Sequence, residues 1–404
     1  MFKIFEINEG VYLHYYKTGK FKTNTTAVLI SAEMKAENAA KTALAAQVMK
    51  SGARKYPSQR AMAVKLEEMN GAVFDVSIIK KGNRQLIYIF FESVAGTFND
   101  GADFIKEVIF YPVHLSGSGF SKAKDRLIYE IKSVKDNKSE YALERMAEEM
   151  ENGAYSIPGL GYAEEAAALK PQMMKRFYSS LLTTGIIDVY FVGSEDVNTV
   201  RKKYESLFGR TRCNIKRIAE QSLKPKFKEA KTVKEEQGLN QGKLCMCYST
   251  GEEASKENIL SILVLNEIIG GSGGSLLFSK VREKEGLCYS IGSTVNKHKM
   301  LMVIEAGIDK NDRSKVTGII KKSIEEIKSG ITEEEVLKAK ENISKNYDSV
   351  FDTPASIINY GFTMRLLGIT DTPKEFAEEI KAVTVKEVKE MAEKLKCETE
   401  YFLV

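Results

Sequence analysis

The sequence predicts an α+β protein built from two homologous halves, each an antiparallel sheet packed with helices. Three features of the 404-residue chain predict this class: segments that recur along it, strands near both ends of each half, and long charged helices between those strands. Strands grouped apart from helices are typical of α+β proteins, whereas doubly wound proteins alternate the two.

The recurring segments follow the same order in both halves. They are Gly71 and Gly286, Lys-Ala-Lys at 122–124 and 338–340, and Ala-Glu-Glu at 163–165 and 377–379. The separations are 215, 216 and 214 residues, and their close agreement predicts an internal duplication. We therefore predict an N-terminal domain at 1–209 and a C-terminal domain at 235–404.

Each half reads as the same series of elements. Strands are predicted at 11–16, 26–31, 73–79, 85–92 and 186–192 in the first half, and at 244–249 and 401–404 in the second. Phe74, Val76 and Ile78 alternate with polar residues, which indicates a half-buried antiparallel strand. A helix is predicted to end at each paired glycine, and long charged helices are predicted at 121–152 and 332–351.

Between the halves, residues 210–234 are predicted to form a basic linker. The wider stretch 201–234 contains twelve Lys or Arg and three acidic residues, whereas the whole chain has a formal net charge of +5. This charge density, with few apolar side chains, is typical of a solvated linker. A nucleic-acid groove would need aromatic side chains interleaved with the charge. The stretch has only Tyr204, Phe208 and Phe227, so no nucleic-acid partner is expected.

Composition favours a cytoplasmic protein. The chain has no apolar run near the roughly 18 residues that a membrane span requires, so no membrane partner is expected. Its first ten residues, MFKIFEINEG, lack the apolar core of a secretory signal. The five cysteines are scattered, as is typical of reduced thiols.

The residue types that support hydrolysis form no local motif. His14, His114 and His298 are far apart, and none has a second His one helical turn away, as zinc-binding helices usually have. Cys245 and Cys247 lie in an apparent strand and share a face, where core packing is favoured over metal binding. Hydrolysis by a Ser or Cys nucleophile is disfavoured, because none has a plausible local His partner.

A glycine-rich stretch at 270–275 lies between two predicted helices. It lacks the Lys-Ser/Thr ending of a P-loop and does not follow a strand. Two interpretations remain open: a flexible loop, or a loop that touches an extended ligand because glycine allows close backbone approach. The second makes Gly271, Gly273 and Gly274 candidate substrate-binding residues.

Arg282 and Tyr289 follow this stretch, near the end of a predicted helix and in the next predicted strand. Gly286 between them is expected to end the helix in the left-handed conformation. A guanidinium and a phenol at such a junction could donate hydrogen bonds to a peptide carbonyl, or to the oxyanion formed when it is attacked. The alternative is an Arg that bonds helix-end carbonyls beside a half-buried Tyr. The duplication does not require the pair, since Glu67 and Phe74 are the counterparts.

These features resemble the pitrilysin/insulinase family of zinc peptidases, the inverzincins, over nearly the whole chain. In that family's second half, a glycine loop precedes a helix that ends in Arg, and Tyr follows after six intervening residues. Arg282 and Tyr289 match this pair, and the segment 150–165 resembles part of the family's first half. The resemblance implies that the two halves form a clamshell, in which Arg and Tyr reach a substrate bound at zinc in the opposite half.

The sequence departs from the family at the zinc motif. The family has His-x-x-Glu-His on a helix of the first half, and these three positions fall on Ala43, Ala46 and Gln47 when the helix is anchored at Gly52. Both histidine ligands and the general base are replaced. The family's downstream Glu ligand aligns with Glu130, a possible remnant, and one carboxylate does not hold zinc.

The resemblance therefore implies a non-catalytic subunit of a two-component zinc peptidase, inactive alone. This chain is expected to bind no cofactor, and zinc is expected in a homologous partner that polarises the scissile carbonyl of a peptide substrate. Arg282 and Tyr289 would act in trans on the substrate and the transition state. The alternative is a structural or peptide-binding scaffold with no role in hydrolysis, to which an extended peptide could add at a strand edge.

Overall fold

The computed structural model describes residues 1–220, 223 and 229–404. These residues form two compact units. The first unit comprises Met1–Ser133, Ile157–Ala219 and Asp352–Gly361, and the second comprises Val134–Ser156, Glu220–Phe351 and Phe362–Val404. The predicted boundaries at 1–209, 210–234 and 235–404 concern homologous halves and stay a prediction.

Strands and helices cover most of the described chain. The strands are β1 (Lys3–Asn8), β2 (Val11–Lys17), β3 (Thr23–Glu33), β4 (Val73–Lys81), β5 (Arg84–Val94), β6 (Ile187–Gly193), β7 (Lys231–Glu235), β8 (Gly242–Ser249), β9 (Cys288–Asn296), β10 (Leu301–Ile308) and β11 (Lys396–Leu403). The α-helices are α1 (Ala36–Ser51), α2 (Gln59–Glu68), α3 (Phe98–Phe110), α4 (Gly117–Ser133), α5 (Lys138–Glu149), α6 (Ala163–Ala168), α7 (Pro171–Thr184), α8 (Val197–Phe208), α9 (Lys256–Asn266), α10 (Arg313–Ser329), α11 (Glu333–Asp348), α12 (Pro354–Leu366), α13 (Pro373–Ala382) and α14 (Val385–Lys394). Two π-helical segments, Glu267–Gly271 and Phe278–Lys284, flank the glycine-rich stretch.

The sheet of the first unit has the strand order β1-β2-β6-β3-β5-β4. Strand β6 is buried along its whole length between β2 and β3, because its apolar side chains pack into the core of this unit. Strand β6 runs parallel to β2, and every other neighbouring pair is antiparallel.

The sheet of the second unit has the order β7-β11-β8-β10-β9, so that β9 is an edge strand. Strand β7 runs parallel to β11, and the remaining neighbours are antiparallel. The order and directions of these five strands are the same as those of β2-β6-β3-β5-β4 in the first sheet.

The α+β class is confirmed, whereas the prediction of antiparallel sheets is wrong. Each sheet is mixed, because each contains one parallel pair. Long helical connections precede β6 and β11, and such connections allow a strand to return in the direction of its neighbour.

The helix predicted at 121–152 is two helices. Helix α4 ends in a 3₁₀ turn at Val134–Asp136, and the Asn137 side chain caps the start of α5 by accepting a hydrogen bond from the Glu140 backbone N–H. The chain redirects at this cap. Tyr141 and Met146 of α5 then pack in the core cluster that contains Cys245 of the second sheet.

The paired glycines end helical segments as the sequence predicts. Gly71 and Gly286 have φ angles of 73° and 62°, in the left-handed region that glycine adopts without a steric penalty. After Gly286, the Leu287 N–H returns to the Val281 carbonyl at 3.0 Å, and the chain enters β9.

The predicted basic linker at 210–234 contains ordered contacts. Arg212 is buried, and its guanidinium donates hydrogen bonds to the carbonyls of Glu9, Leu182 and Gly185. The last part of the linker forms β7. Positions 221, 222 and 224–228, including Phe227, lie outside the described residues. No helix in the described parts of the chain has the length and apolar character that crossing a membrane would require.

Candidate functional site

Helix α1 carries the three positions that align with the family's zinc motif. The helix is rich in alanine, a strong helix former whose small side chain lets neighbouring elements approach closely. Ala43 and Ala46 are buried, with 1% and 4% of their surface exposed. Their methyl groups have no atom that can bind a metal or accept a proton.

Gln47, the third position, contacts the fourth candidate residue. Its Nε2 donates a hydrogen bond to Glu130 Oε2 of α4 at 2.5 Å, although the two residues are 83 positions apart. The structure therefore brings together two side chains that the sequence connects only through the family resemblance. Gln47 Oε1 is buried and has no hydrogen-bond partner among the described residues.

The environment of Glu130 is that of a partly buried carboxylate. Burial raises the pKa of Glu130, while Arg126 and Lys50 act in the opposite direction. An amide and one carboxylate fall short of the three protein ligands of a catalytic zinc site. Within the described part of the chain, no group of three or more His, Cys, Asp or Glu residues could hold a metal ion.

Arg282 lies on the π-helical segment Phe278–Lys284, and Tyr289 lies in β9. The Arg282 guanidinium carbon is 4.8 Å from the centroid of the Phe278 ring, a cation–π distance. Tyr289 is 79% exposed, and Arg282 is also exposed. Tyr289 is thus not half-buried, as the structural alternative expected, and both polar groups face solvent.

The glycine-rich stretch has a packed part and an open part. A Cβ atom at Gly270 would lie 2.6 Å from Ser293 Oγ of β9, and one at Gly271 would lie 2.5 Å from Glu267 Oε2. A Cβ atom at Gly273 or Gly274 would have no heavy atom within 4 Å. The stretch therefore requires glycine at its start for packing against β9, whereas its end has open space on the side where a Cβ would project.

A cavity of about 420 Å³ lies beside β9 in the second unit. Gly271 and Gly273 line it, and so does the Phe278 ring on which Arg282 stacks. Gly274, Arg282 and Tyr289 are not among its lining residues. The structure thus brings part of the predicted substrate-binding set to one cavity and leaves the Arg/Tyr pair outside it.

Sequence reasoning missed the acidic residue of this cavity, Glu305 of β10. The signal was present, because Glu305 is the single charged residue in the otherwise apolar strand Leu301–Ile308. Burial raises the pKa of Glu305. Burying a charged side chain lowers the stability of the folded chain unless the charge is paired or hydrogen-bonded.

Cys245, Cys247 and His14 are buried side chains. Cys245 and Cys247 are buried in the cluster under α5, and burial raises the pKa of both thiols, as expected for packed side chains. His14 is also buried, and its Nε2 lies 2.8 Å from Asp188 Oδ1 on the neighbouring strand.

Comparisons with known proteins agree with this geometry. The family model described as the peptidase M16 inactive domain matches residues 168–343. The probable inactive metalloprotease YmfF of Bacillus subtilis (strain 168) is 25% identical over 409 aligned residues, which cover 98% of this chain and 96% of that protein. The uncharacterized zinc protease YmxG of the same organism is 25% identical over 302 residues, with 74% of this chain and 72% of that protein covered.

A solved structure has the same fold over the whole chain. The crystal structure of a conserved protein from Enterococcus faecalis V583 superposes with a TM-score of 0.89 and 25% sequence identity, covering 100% of this chain and 98% of that one. The fold and these likenesses indicate a peptidase-like protein that is related to zinc proteases. Over residues 168–343 the chain is similar to the peptidase M16 inactive domain, and over nearly its whole length to a probable inactive metalloprotease.

Proposed function

We propose that this chain is the non-catalytic subunit of a two-component zinc metallopeptidase. A homologous partner would supply zinc and the general base, and this chain would supply Arg282 and Tyr289 to the peptide substrate and the transition state. One observation carries the proposal. Both side chains are exposed and free to reach a ligand, while the positions of the zinc motif hold Ala43, Ala46 and Gln47.

The chemistry of the pair suits this role. A guanidinium and a phenol donate hydrogen bonds to the oxyanion that forms when water attacks a peptide carbonyl, and such donors act on charge that develops in the transition state. Arg282 already stacks on Phe278, which limits the conformations of its long side chain. The existence of a related protein described as a zinc protease supports a zinc-bearing homologue as the partner.

We also propose that the two halves arose by duplication. The equivalent strand orders of the two sheets support it, as do the left-handed Gly71 and Gly286. Helices α4 and α11 carry the two copies of Lys-Ala-Lys. The segment after α4, Val134–Ser156, belongs to the second unit, and the segment after α11, Asp352–Gly361, belongs to the first, so both halves repeat the same exchange. The clamshell arrangement, the domain boundaries and the cytoplasmic location stay predictions.

A scaffold function is the second candidate. Strand β4 ends the first sheet and β9 ends the second, so each sheet has an edge strand to which an extended peptide could add through backbone hydrogen bonds. Such a scaffold would bind peptide without assisting hydrolysis. The Arg282 and Tyr289 side chains would then be dispensable.

The test is reconstitution with the zinc-bearing homologue of the same genome, one that has an intact His-x-x-Glu-His motif. The double variant Arg282→Ala/Tyr289→Phe should reduce kcat/KM of the mixture by about 100-fold, the scale of losing an oxyanion donor. Lys284→Ala, an exposed cation on the same π-helical segment, is the matched control and should retain activity. Full activity of the double variant would favour the scaffold function.

A further inference from the structure

Glu305 occupies a central position on one face of the second sheet. Its antiparallel neighbours in register are Gly292 on β9 and Cys245 on β8, so the three residues form one row across the sheet. Cys245 packs in the core under α5 and also borders the cavity beside β9, which Glu305 and Gly292 line as well. The carboxylate therefore lies at the border between the packed core and the cavity.

Two glycines leave this carboxylate uncovered. Gly292 is its direct neighbour across the sheet, and Gly307 is the next residue of β10 on the same face. Neither has a side chain that could shield the carboxylate from the cavity. A Cβ atom at Gly292 would meet a single neighbouring atom, the Gly270 carbonyl oxygen at 3.5 Å, so packing alone does not require glycine there.

Glu305 also lacks a partner of its own. Among the described residues, none donates a hydrogen bond to its carboxylate or forms an ion pair with it. Lys243, diagonal to Glu305 on β8, lines the same cavity, but its Nζ donates to Gln241 Oε1 at 3.2 Å and forms no ion pair with Glu305. A partly buried carboxylate without a partner is unfavourable for the folded chain, and a bound cation would remove that penalty.

Another carboxylate of the same sheet, Glu235, has hydrogen-bond and ion-pair partners that Glu305 lacks within the described chain. Glu235 of β7 accepts hydrogen bonds from Tyr141 at 2.8 Å, Tyr401 at 2.5 Å and Gln237 at 2.7 Å, and Arg145 lies 3.6 Å away. The same unit therefore contains one carboxylate with several hydrogen-bond partners, Glu235, and one that faces an open cavity, Glu305. The difference indicates that Glu305 is held for a ligand.

We propose that this cavity binds a basic side chain of a peptide, with Glu305 as its counter-charge. The inference rests on the proposed function for the peptide nature of the ligand. The volume of about 420 Å³ is enough for a long side chain. A guanidinium can bond a carboxylate through two parallel N–H groups, and the partial burial of Glu305 strengthens that attraction relative to bulk water. Gly273, which lines the cavity and has open space where a Cβ would project, leaves room for the peptide backbone.

The experiment measures binding to the full chain without any partner. The probes are two labelled peptides with blocked ends that differ at one central residue, arginine in one and citrulline, its neutral near-isostere, in the other. We expect the arginine peptide to bind at least about tenfold more tightly, the effect of one charge-assisted contact. Glu305→Gln keeps the shape and removes the charge, so it should reduce the arginine peptide to the affinity of the citrulline peptide.

Glu283→Gln is the matched control, because Glu283 is an exposed carboxylate whose loss changes the net charge equally. It should leave the tenfold preference intact. Equal binding of the two peptides, no binding of either, or a preference that survives Glu305→Gln would overturn the inference. If the preference holds but mixtures with the zinc-bearing homologue stay inactive, the proposed function alone fails.

Discussion

Two partly buried carboxylates, one in each unit, differ in their hydrogen-bond partners. Burial raises the pKa of Glu130 in the first unit and of Glu305 in the second. Glu130 receives a hydrogen bond from Gln47 and lies 3.8 Å from Arg126. Glu305 faces a cavity between Gly292 and Gly307 with no such partner in the described chain.

The two carboxylates therefore differ in whether a neighbouring side chain of the described chain contacts them. At the positions that we predict to correspond to the zinc motif, the amide of Gln47 donates a hydrogen bond to Glu130. Beside β9, the cavity is lined by the carboxylate of Glu305 and by Gly273, whereas the exposed Arg282 and Tyr289 lie outside it. A first unit without zinc chemistry and a second unit that binds peptide are what the proposed accessory subunit would require.

The largest expected effect concerns the packed glycine that borders the cavity. Gly270→Ala should lower the free energy of unfolding by about 1–3 kcal/mol, because its Cβ would overlap Ser293, including the backbone nitrogen at 3.0 Å. Urea unfolding followed by circular dichroism measures the change. Gly273→Ala is the control, and its open surroundings predict a change within about 0.5 kcal/mol. Similar losses for both variants would contradict the division into packed and open glycines.

A second carboxylate beside Glu130 should replace the hydrogen bond from Gln47 with charge repulsion and destabilise the first unit. Gln47→Glu would set two carboxylates against each other and destabilise the chain by about 1–2 kcal/mol near neutral pH. The repulsion raises the pKa of the pair, so the loss should shrink as the pH falls and the pair takes up a proton. Thermal unfolding at several pH values tests this sign, with exposed Gln172→Glu as the control. A loss that does not vary with pH would mean that the two side chains do not interact.

The smallest expected effect concerns Glu305 itself. Because its folded-state pKa is raised above the ordinary 4.5, the chain is most stable with Glu305 protonated and loses stability as the pH rises through the raised pKa. Glu305→Gln escapes this loss and should be more stable than the natural chain by about 0.5–1 kcal/mol near neutral pH. The gap should close at acidic pH. A variant less stable than the natural chain near neutral pH would reveal a favourable contact to the carboxylate.

The sequence predicted the elements better than their connections. Alternation at Phe74, Val76 and Ile78 and the paired Gly71 and Gly286 depend on local chemistry, and both were read correctly. The break at Asn137 was missed, because charged residues continue through it and a single cap redirects the chain. The parallel pairs were missed because strand direction depends on long-range pairing, which periodicity does not report.

For the candidate site, too, the sequence indicated some residues and missed one that depends on long-range pairing. The resemblance brought Gln47 and Glu130 to one site, and the structure joins them by a hydrogen bond. Glu305 was overlooked because its meaning depends on Gly292 across the sheet, and strand register is not visible in one sequence. The roles of Arg282 and Tyr289 stay predictions that activity must decide.

Zinc content and peptide cleavage, measured together, test the central claim most directly. The samples are this chain alone, the zinc-bearing homologue alone and their mixture, assayed on a quenched peptide library with metal analysis of each. We predict neither zinc nor cleavage for this chain, and cleavage by the mixture that exceeds that of the homologue. Stoichiometric zinc or cleavage in the lone chain would contradict the account, because Ala43, Ala46 and Gln47 would then not mark the lost catalytic motif.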